Sequence, residues 1–220
     1  MSFETVTFGP DEYPTKAAQL VDASRPHEGS VVLTGGTTAE RIYEALGASS
    51  GNWDGLDVYF SDERCVPPDD PASNFGMAAR LLLTSVGAPR VHRMPGEKLP
   101  EEAAEEYGEE IASVAVDLML LGMGADGHVG AMFPGSPAVA ENDRLCVAVD
   151  RPDGMRGLTL TPPVLMRAKK VLLVVTGSEK APTVARVIGG KEPVGSLPAG
   201  MLKDHPDATF VLDEEAASEL

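Results

Sequence analysis

Asp126 and His128 lie close together within Gly122-Met123-Gly124-Ala125-Asp126-Gly127-His128. Imidazole is the side chain whose unperturbed pKa, about 6.5, lets it take up or release a proton near neutrality. A carboxylate beside it can orient the ring or stabilise its cation. The chemistry on offer is acid–base catalysis on a glycine-shaped loop. The competing reading is a buried, hydrogen-bonded histidine at a tight strand exit. Gly122, Gly124 and Gly127 also spell G-x-G-x-x-G, the pattern of dinucleotide-binding loops. That pattern needs a helix of several turns from the third glycine. Here Pro134, Gly135 and Pro137 follow too soon, and proline breaks a helix interior.

Further groups carry charge or donors in useful patterns. Thr34-Gly35-Gly36-Thr37-Thr38 lies between an apolar run and a helical pattern. Glycines let backbone amides approach an anion, a helix start adds partial positive charge, and hydroxyls add donors. This suits a phosphate; the alternative is a tight turn with Thr37 or Thr38 as helix cap. No Gly-Lys-Ser/Thr follows, which speaks against a nucleoside triphosphate. Asp62-Glu63-Arg64 pairs two acids with a guanidinium fork that matches phosphate, carboxylate or an oxyanion. Lys180, after Thr176-Gly177-Ser178, falls in the first turn of a helical stretch. A cation there opposes the helix dipole unless an anion joins it; otherwise it is an exposed lysine. Together these groups suggest a small phosphorylated substrate handled by acid–base chemistry.

Such groups need elements to converge them. Apolar runs bounded by glycine read as buried strands. Val31 to Leu33, Leu56 to Phe60, Val114 to Leu121 and Val171 to Val175 lead into the four segments above. Further strands are expected at Thr5 to Phe8, Val91 to Arg93, Leu145 to Val149, Leu158 to Thr161 and Thr209 to Leu212. Helical spacing marks Pro14 to Ala23, Ala39 to Leu46 stopped by Gly47, a helix capped by Asn74, and Glu101 to Ser113. It continues in Pro162 to Ala168, Glu179 to Ile188 capped by Ser178, Leu197 to Leu202 and Glu214 to Leu220. The two glutamate stripes of Glu101 to Ser113 read as a solvated face. Strand–helix alternation implies an α/β, Rossmann-like three-layer fold, with a mainly parallel sheet and helices on both faces. One domain over residues 1–220 is expected. In such sheets ligand-binding residues sit at the carboxyl ends of strands.

Composition narrows the function class. Of 220 residues, 43% are hydrophobic but only 5% aromatic, so the core must be built from Val, Leu, Ala and Met. Eighteen basic residues against 34 acidic give a net charge of −16, which disfavours nucleic acid and anionic membranes as partners. A phosphate site remains possible, because charges beyond about 8 Å are largely screened at physiological salt. No apolar run approaches the roughly 20 residues that span a bilayer. Cys65 and Cys146 form no C-x-x-C, and with no signal peptide a reduced, cytoplasmic setting is expected. Arg64 precedes Cys65, yet no histidine is assignable to that thiol, so it reads as a bystander.

In this order and spacing the motifs closely resemble the 6-phosphogluconolactonase family. The stretches are Leu33 to Thr38, Ser61-Asp62-Glu63-Arg64-Cys65-Val66-Pro67 with Ser73-Asn74, and Asp117 to His128 running on through Phe133-Pro134-Gly135-Ser136. Thr159-Leu160-Thr161-Pro162 and Thr176 to Ala181 complete the set. The resemblance implies hydrolysis of 6-phospho-D-glucono-1,5-lactone to 6-phosphogluconate, the second step of the oxidative pentose phosphate pathway. It implies no cofactor, no metal and a fold shared with glucosamine-6-phosphate deaminase. His128 is then the general base, and Asp126 orients it or stabilises its cation. Arg64 stabilises the oxyanion or grips the phosphate, both roles staying open. Gly35, Gly36, Thr37 and Lys180 hold the phosphate, with Asp62 in the substrate site. The family usually has an arginine directly before its hydrophobic-Thr-Leu-Thr segment. Here that position is Gly157, and Arg156, one residue earlier, is carried over in its place. The Ser or Thr often found after the histidine is replaced by Gly130 and Ala131.

Two rivals differ in class. Glucosamine-6-phosphate deaminases have Asp-Glu-Tyr where this chain has Asp62-Glu63-Arg64, and a glutamate where it has Phe133, so both differences favour the lactonase. A non-catalytic sugar-phosphate sensor would come joined to a helix-turn-helix, for which this acidic chain leaves no room before its first strand. A monomer or small homo-oligomer acting on a phosphorylated sugar lactone is the expectation.

Overall fold

The computed structural model describes residues 4–49 and 51–220. Its elements are, in chain order, β1 (Glu4–Phe8), α1 (Tyr13–Ser24), β2 (Gly29–Leu33), α2 (Thr37–Ser49), β3 (Leu56–Phe60), β4 (Asp62–Arg64), α3 (Asn74–Ala78), β5 (Arg90–Val91) and α4 (Pro100–Ile111). They continue with β6 (Leu118–Gly122), β7 (Cys146–Asp150), β8 (Arg156–Leu160), α5 (Pro162–Arg167), β9 (Lys170–Val175), α6 (Ala181–Gly189) and β10 (Ala208–Asp213).

Seven strands form a parallel sheet in the order β1-β10-β9-β6-β2-β3-β5. Its central strands read as unbroken apolar runs because both faces are covered: Val31 to Leu33, Leu118 to Leu121 and Val171 to Val175 are all buried. The chain builds outward from β2 through β3 to β5. It then returns to the other side of β2 as β6 and builds outward again through β9 and β10. Right-handed crossovers running in opposite directions place their helices on opposite faces. Thus α2, between β2 and β3, and α6, between β9 and β10, cover different faces. The reversal between β2 and β6 is a topological switch point, where loops splay apart and leave a crevice.

A second, antiparallel sheet has the order β4-β8-β7. The acid–acid–arginine triplet therefore does not end β3. It leaves the large sheet after Ser61 and pairs with β8, Asp62 opposite Thr159 and Arg64 opposite Gly157.

Some boundaries differ from the sequence expectation. Gly47 does not stop α2, which runs to Ser49. A Cβ there would collide with the Leu81 carbonyl, so this glycine serves close helix packing. Ser73, not Asn74, caps α3, its Oγ accepting the Gly76 N–H at 3.0 Å. Ser178 opens a short 3-10 turn, Ser178–Lys180, and makes no cap bond; Lys180 stands directly before α6. Residues 214–219 form turns rather than a helix, Asp213 Oδ1 drawing in the Ala216 N–H at 2.7 Å.

Candidate active site

The carboxyl ends of the neighbouring strands β9, β6, β2 and β3 face one cleft. His128 reaches it on the loop after β6. Gly127, at φ +86°, turns the chain back, with Gly127 N–H on Gly124 O and Gly124 N–H on His128 O, both 3.0 Å. The imidazole lies over Gly124, where any Cβ would overlap the ring. Asp126 Oδ1 accepts the His128 backbone N–H at 3.1 Å and lies 2.6 Å from Nδ1. The bond from His128, above all, holds the Asp126 carboxyl below the usual carboxylate range. An ionised acceptor at Nδ1 favours a proton on that nitrogen and leaves Nε2 with its lone pair. The ring of Phe133 packs against the imidazole at 4.6 Å. Thr183 Oγ1 donates to Ala125 O at 2.6 Å, anchoring the loop to α6. Gly130, at φ +56°, passes close to Thr159, whose Oγ1 accepts the Ala131 N–H at 3.1 Å. Thr159 thus supplies hydroxyl bonding that no Ser or Thr provides at 130 or 131.

In β4 alternate residues face opposite ways. Asp62 and Arg64 line the cleft, while Glu63 turns into the protein and is 2% exposed. Its carboxylate accepts the N–H groups of Arg64, Asn74 and Phe75 and the Ser73 hydroxyl, at 2.7–3.0 Å. Burial raises the Glu63 pKa, and these bonds oppose the rise. Glu63 is therefore a brace for the start of α3. Asn74, braced by it, donates to Asp62 O and Oδ2 at 2.9 and 3.1 Å and accepts Arg64 Nη1 at 2.6 Å. Arg64 Nη1 also donates to Ala72 O at 2.8 Å. A side chain at Gly35 would run into the Asn74 carboxamide, so that glycine lets the first loop close over the second.

Gly36, at φ +96°, delivers the chain into α2. The first amides of a helix lack intrahelical acceptors, so this end is open to an anion. Thr38 Oγ1 is 2.8 Å from Thr176 Oγ1, joining α2 to the end of β9. Past that point the buried Asp213 carboxylate holds the Gly177 N–H at 3.1 Å. Lys180 follows and lines the cleft. Burial lowers its pKa, and its ammonium has no hydrogen bond or ion pair among the described residues.

The structure thus brings Gly35, Gly36, Thr37, Asp62, Arg64, His128 and Lys180 to one cleft, with Asp126 behind the histidine. It does not bring Arg156 there. That side chain points to the surface and pairs with Glu101 at 2.5 Å and Asp150 at 3.1 Å. Position 156 faces away because Gly157, its neighbour in the strand, takes the opposite face. A second arginine lines the cleft beside Arg64: Arg151, which sequence reasoning missed. Its signal was only the turn-forming Arg151-Pro152-Asp153-Gly154 between β7 and β8. Neither thiol is activated: burial raises Cys65 and pushes Cys146 up to about 12.

The profile of the family described as glucosamine-6-phosphate isomerases/6-phosphogluconolactonase matches residues 13–211. The chain belongs to this family. A 6-phosphogluconolactonase of Mycobacterium tuberculosis is 38% identical over 86% of this chain and 84% of its own. One from Synechocystis is 34% identical over 88% and 85%. The solved 6-phosphogluconolactonase of Trypanosoma cruzi superposes with a TM-score of 0.87 at 27% identity, covering 100% of this chain and 98% of the other. A monomeric glucosamine-6-phosphate deaminase shares the fold at 20% identity and TM-score 0.86. Members of the glucosamine-6-phosphate isomerase/6-phosphogluconolactonase family thus keep one scaffold for different reactions, and local residues must decide between them. No helix among the described residues is long and apolar enough to cross a membrane.

Proposed function

We propose that the chain hydrolyses 6-phospho-D-glucono-1,5-lactone to 6-phosphogluconate, with His128 Nε2 as the general base. The carrying observation is the Asp126–His128 pair, 2.6 Å apart through Nδ1, in one cleft with an open helix start and the unpaired Lys180. The 31–38% identical relatives that bear this activity's name support the substrate. Gly36, Thr37 and Lys180 take the phosphate, leaving the lactone carbonyl at the histidine; remote binding of this kind fixes the attack geometry. Water oxygen bonds to C1 as Nε2 removes its proton. The carbonyl electrons move onto oxygen, then return as the C1–ring oxygen bond breaks. The imidazolium gives its proton to the departing oxygen, so the histidine ends neutral, and the new carboxylic acid ionises in water. Asp126 remains a carboxylate and stabilises the imidazolium. Phe133 beside the ring offers no second acid, which suits ester hydrolysis rather than proton shuttling between sugar carbons.

The test is acceleration of lactone opening above the spontaneous rate on freshly made substrate. Wild type accelerates it, and His128→Ala loses about 10²–10⁴-fold while keeping its fold. A folded wild type without acceleration overturns the substrate; a fully active mutant overturns the base.

A further inference from the structure

We propose that Arg151 is a substrate-contacting residue, its guanidinium binding the negative charge that appears at the lactone carbonyl and persists as the product carboxylate. The inference rests on the lactone reading above.

Arg151 sits where β7 gives way to the turn before β8. The turn is closed by Arg151 N–H on Met155 O and Gly154 N–H on Arg151 O, both 3.0 Å. The side chain does not extend into solvent; it is 11% exposed. Its stem crosses Gly157: a Cβ built there would stand 3.0 Å from Arg151 Cδ and 3.4 Å from Cγ. The missing side chain at 157 is the space through which Arg151 enters the cleft. Nε is tethered to Asp153 Oδ2 at 3.2 Å. The guanidinium then lies over Phe133, 5.5 Å from the ring centroid, and Phe133 packs on the His128 imidazole. One aromatic ring therefore links the cation to the proposed base. Neither Nη has a hydrogen-bond partner among the described residues.

Charge placement assigns the role. Three cations, Arg64, Arg151 and Lys180, line the cleft against one carboxylate, Asp62. The bound lactone carries only its phosphate charge; hydrolysis adds a second at C1. Lys180 and the start of α2 follow β9 and β2 and take the phosphate in the reading above. Arg64 spends Nη1 on Ala72 and Asn74, and its buried Nε, without a partner among the described residues, keeps it available to the sugar phosphate from the β4 side. Arg151 shares the histidine's wall and keeps a free two-pronged edge, the geometry that matches a carboxylate or oxyanion.

Arg151→Met keeps the stem over Gly157 and Phe133 and removes only the charged fork. Its kcat should fall about 10²-fold, as for loss of one oxyanion donor, with a smaller change in KM. Calorimetry supplies the second readout. Binding of 6-phosphogluconate should weaken at least about tenfold, whereas sorbitol 6-phosphate, which lacks the carboxylate, should bind as to wild type. Equal weakening of both ligands would place Arg151 on the phosphate and overturn the assignment. Unchanged kcat and unchanged binding would overturn it outright. A wild type inactive on the lactone would sink the functional reading, and the two binding titrations would still decide Arg151.

Discussion

The His128 ring lies over a backbone position that carries no side chain. Gly124→Ala would place a methyl group inside the imidazole's space, so the ring must swing away from both Asp126 and the cleft. The expected result is a folded protein whose kcat approaches that of His128→Ala, read by steady-state kinetics beside circular dichroism. Asp126→Asn tests the other side of the ring. An amide can still accept the N–H at Nδ1, but it no longer balances the imidazolium. It can also donate to Nδ1, which puts the proton on Nε2 and removes the base. A kcat loss of at least about tenfold with KM nearly unchanged is expected; equal losses in binding would mean that Asp126 holds substrate instead. These residues were legible in the sequence because glycine, aspartate and histidine were confined to one short loop after an apolar run. Arg151 was not. Its place depends on a hairpin folding back over Gly157, a contact that no local spacing encodes.

At the level of elements, the arrangement hinges on a strand of three residues. β4 is too short to show periodicity, so the triplet reads from sequence as the tail of β3. Only its pairing with β8 reveals that Glu63 points inward and that Asp62 and Arg64 share the cleft. The four parallel strands around the switch point were legible, since doubly buried strands leave long apolar runs. The antiparallel sheet was not, because its strands look the same in a linear reading and only the lack of a helix between β7 and β8 marks them as a hairpin. Glu63→Gln probes the brace. All four partners of the carboxylate are donors, and the amide nitrogen of glutamine would face two of them. A loss of about 1–3 kcal/mol is expected for the groups left unsatisfied, measured by urea unfolding. Activity should fall as well, because Asn74 loses the support that fixes Asp62 and Arg64. A variant as stable as wild type would show that α3 holds itself.

For the whole molecule, a net charge of −16 coexists with a cleft where cations prevail. Self-repulsion on this scale disfavours the compact state, and salt screens it with a Debye length falling from about 30 Å at 0.01 M to about 8 Å at 0.15 M. Calorimetric melting should therefore show Tm rising over that range; a falling Tm would mean that surface ion pairs such as Arg186–Glu192 and Arg93–Glu97 outweigh the repulsion. Net charge was read correctly from composition, but the sign of the cleft had to wait for the fold that gathers Arg64, Arg151 and Lys180. The outermost strand carries a different consequence. β1 pairs with β10 alone in the large sheet, Glu4 against Thr209. During synthesis on a ribosome β1 emerges well before β10 and must wait, unpaired, for it. Until then a nascent chain exposes β1 and the free side of β9 as open edges, the kind of surface that recruits other strands. Completion of the sheet is thus postponed until β10 has left the exit tunnel, and a chaperone that shields β-edges would be most useful in that interval.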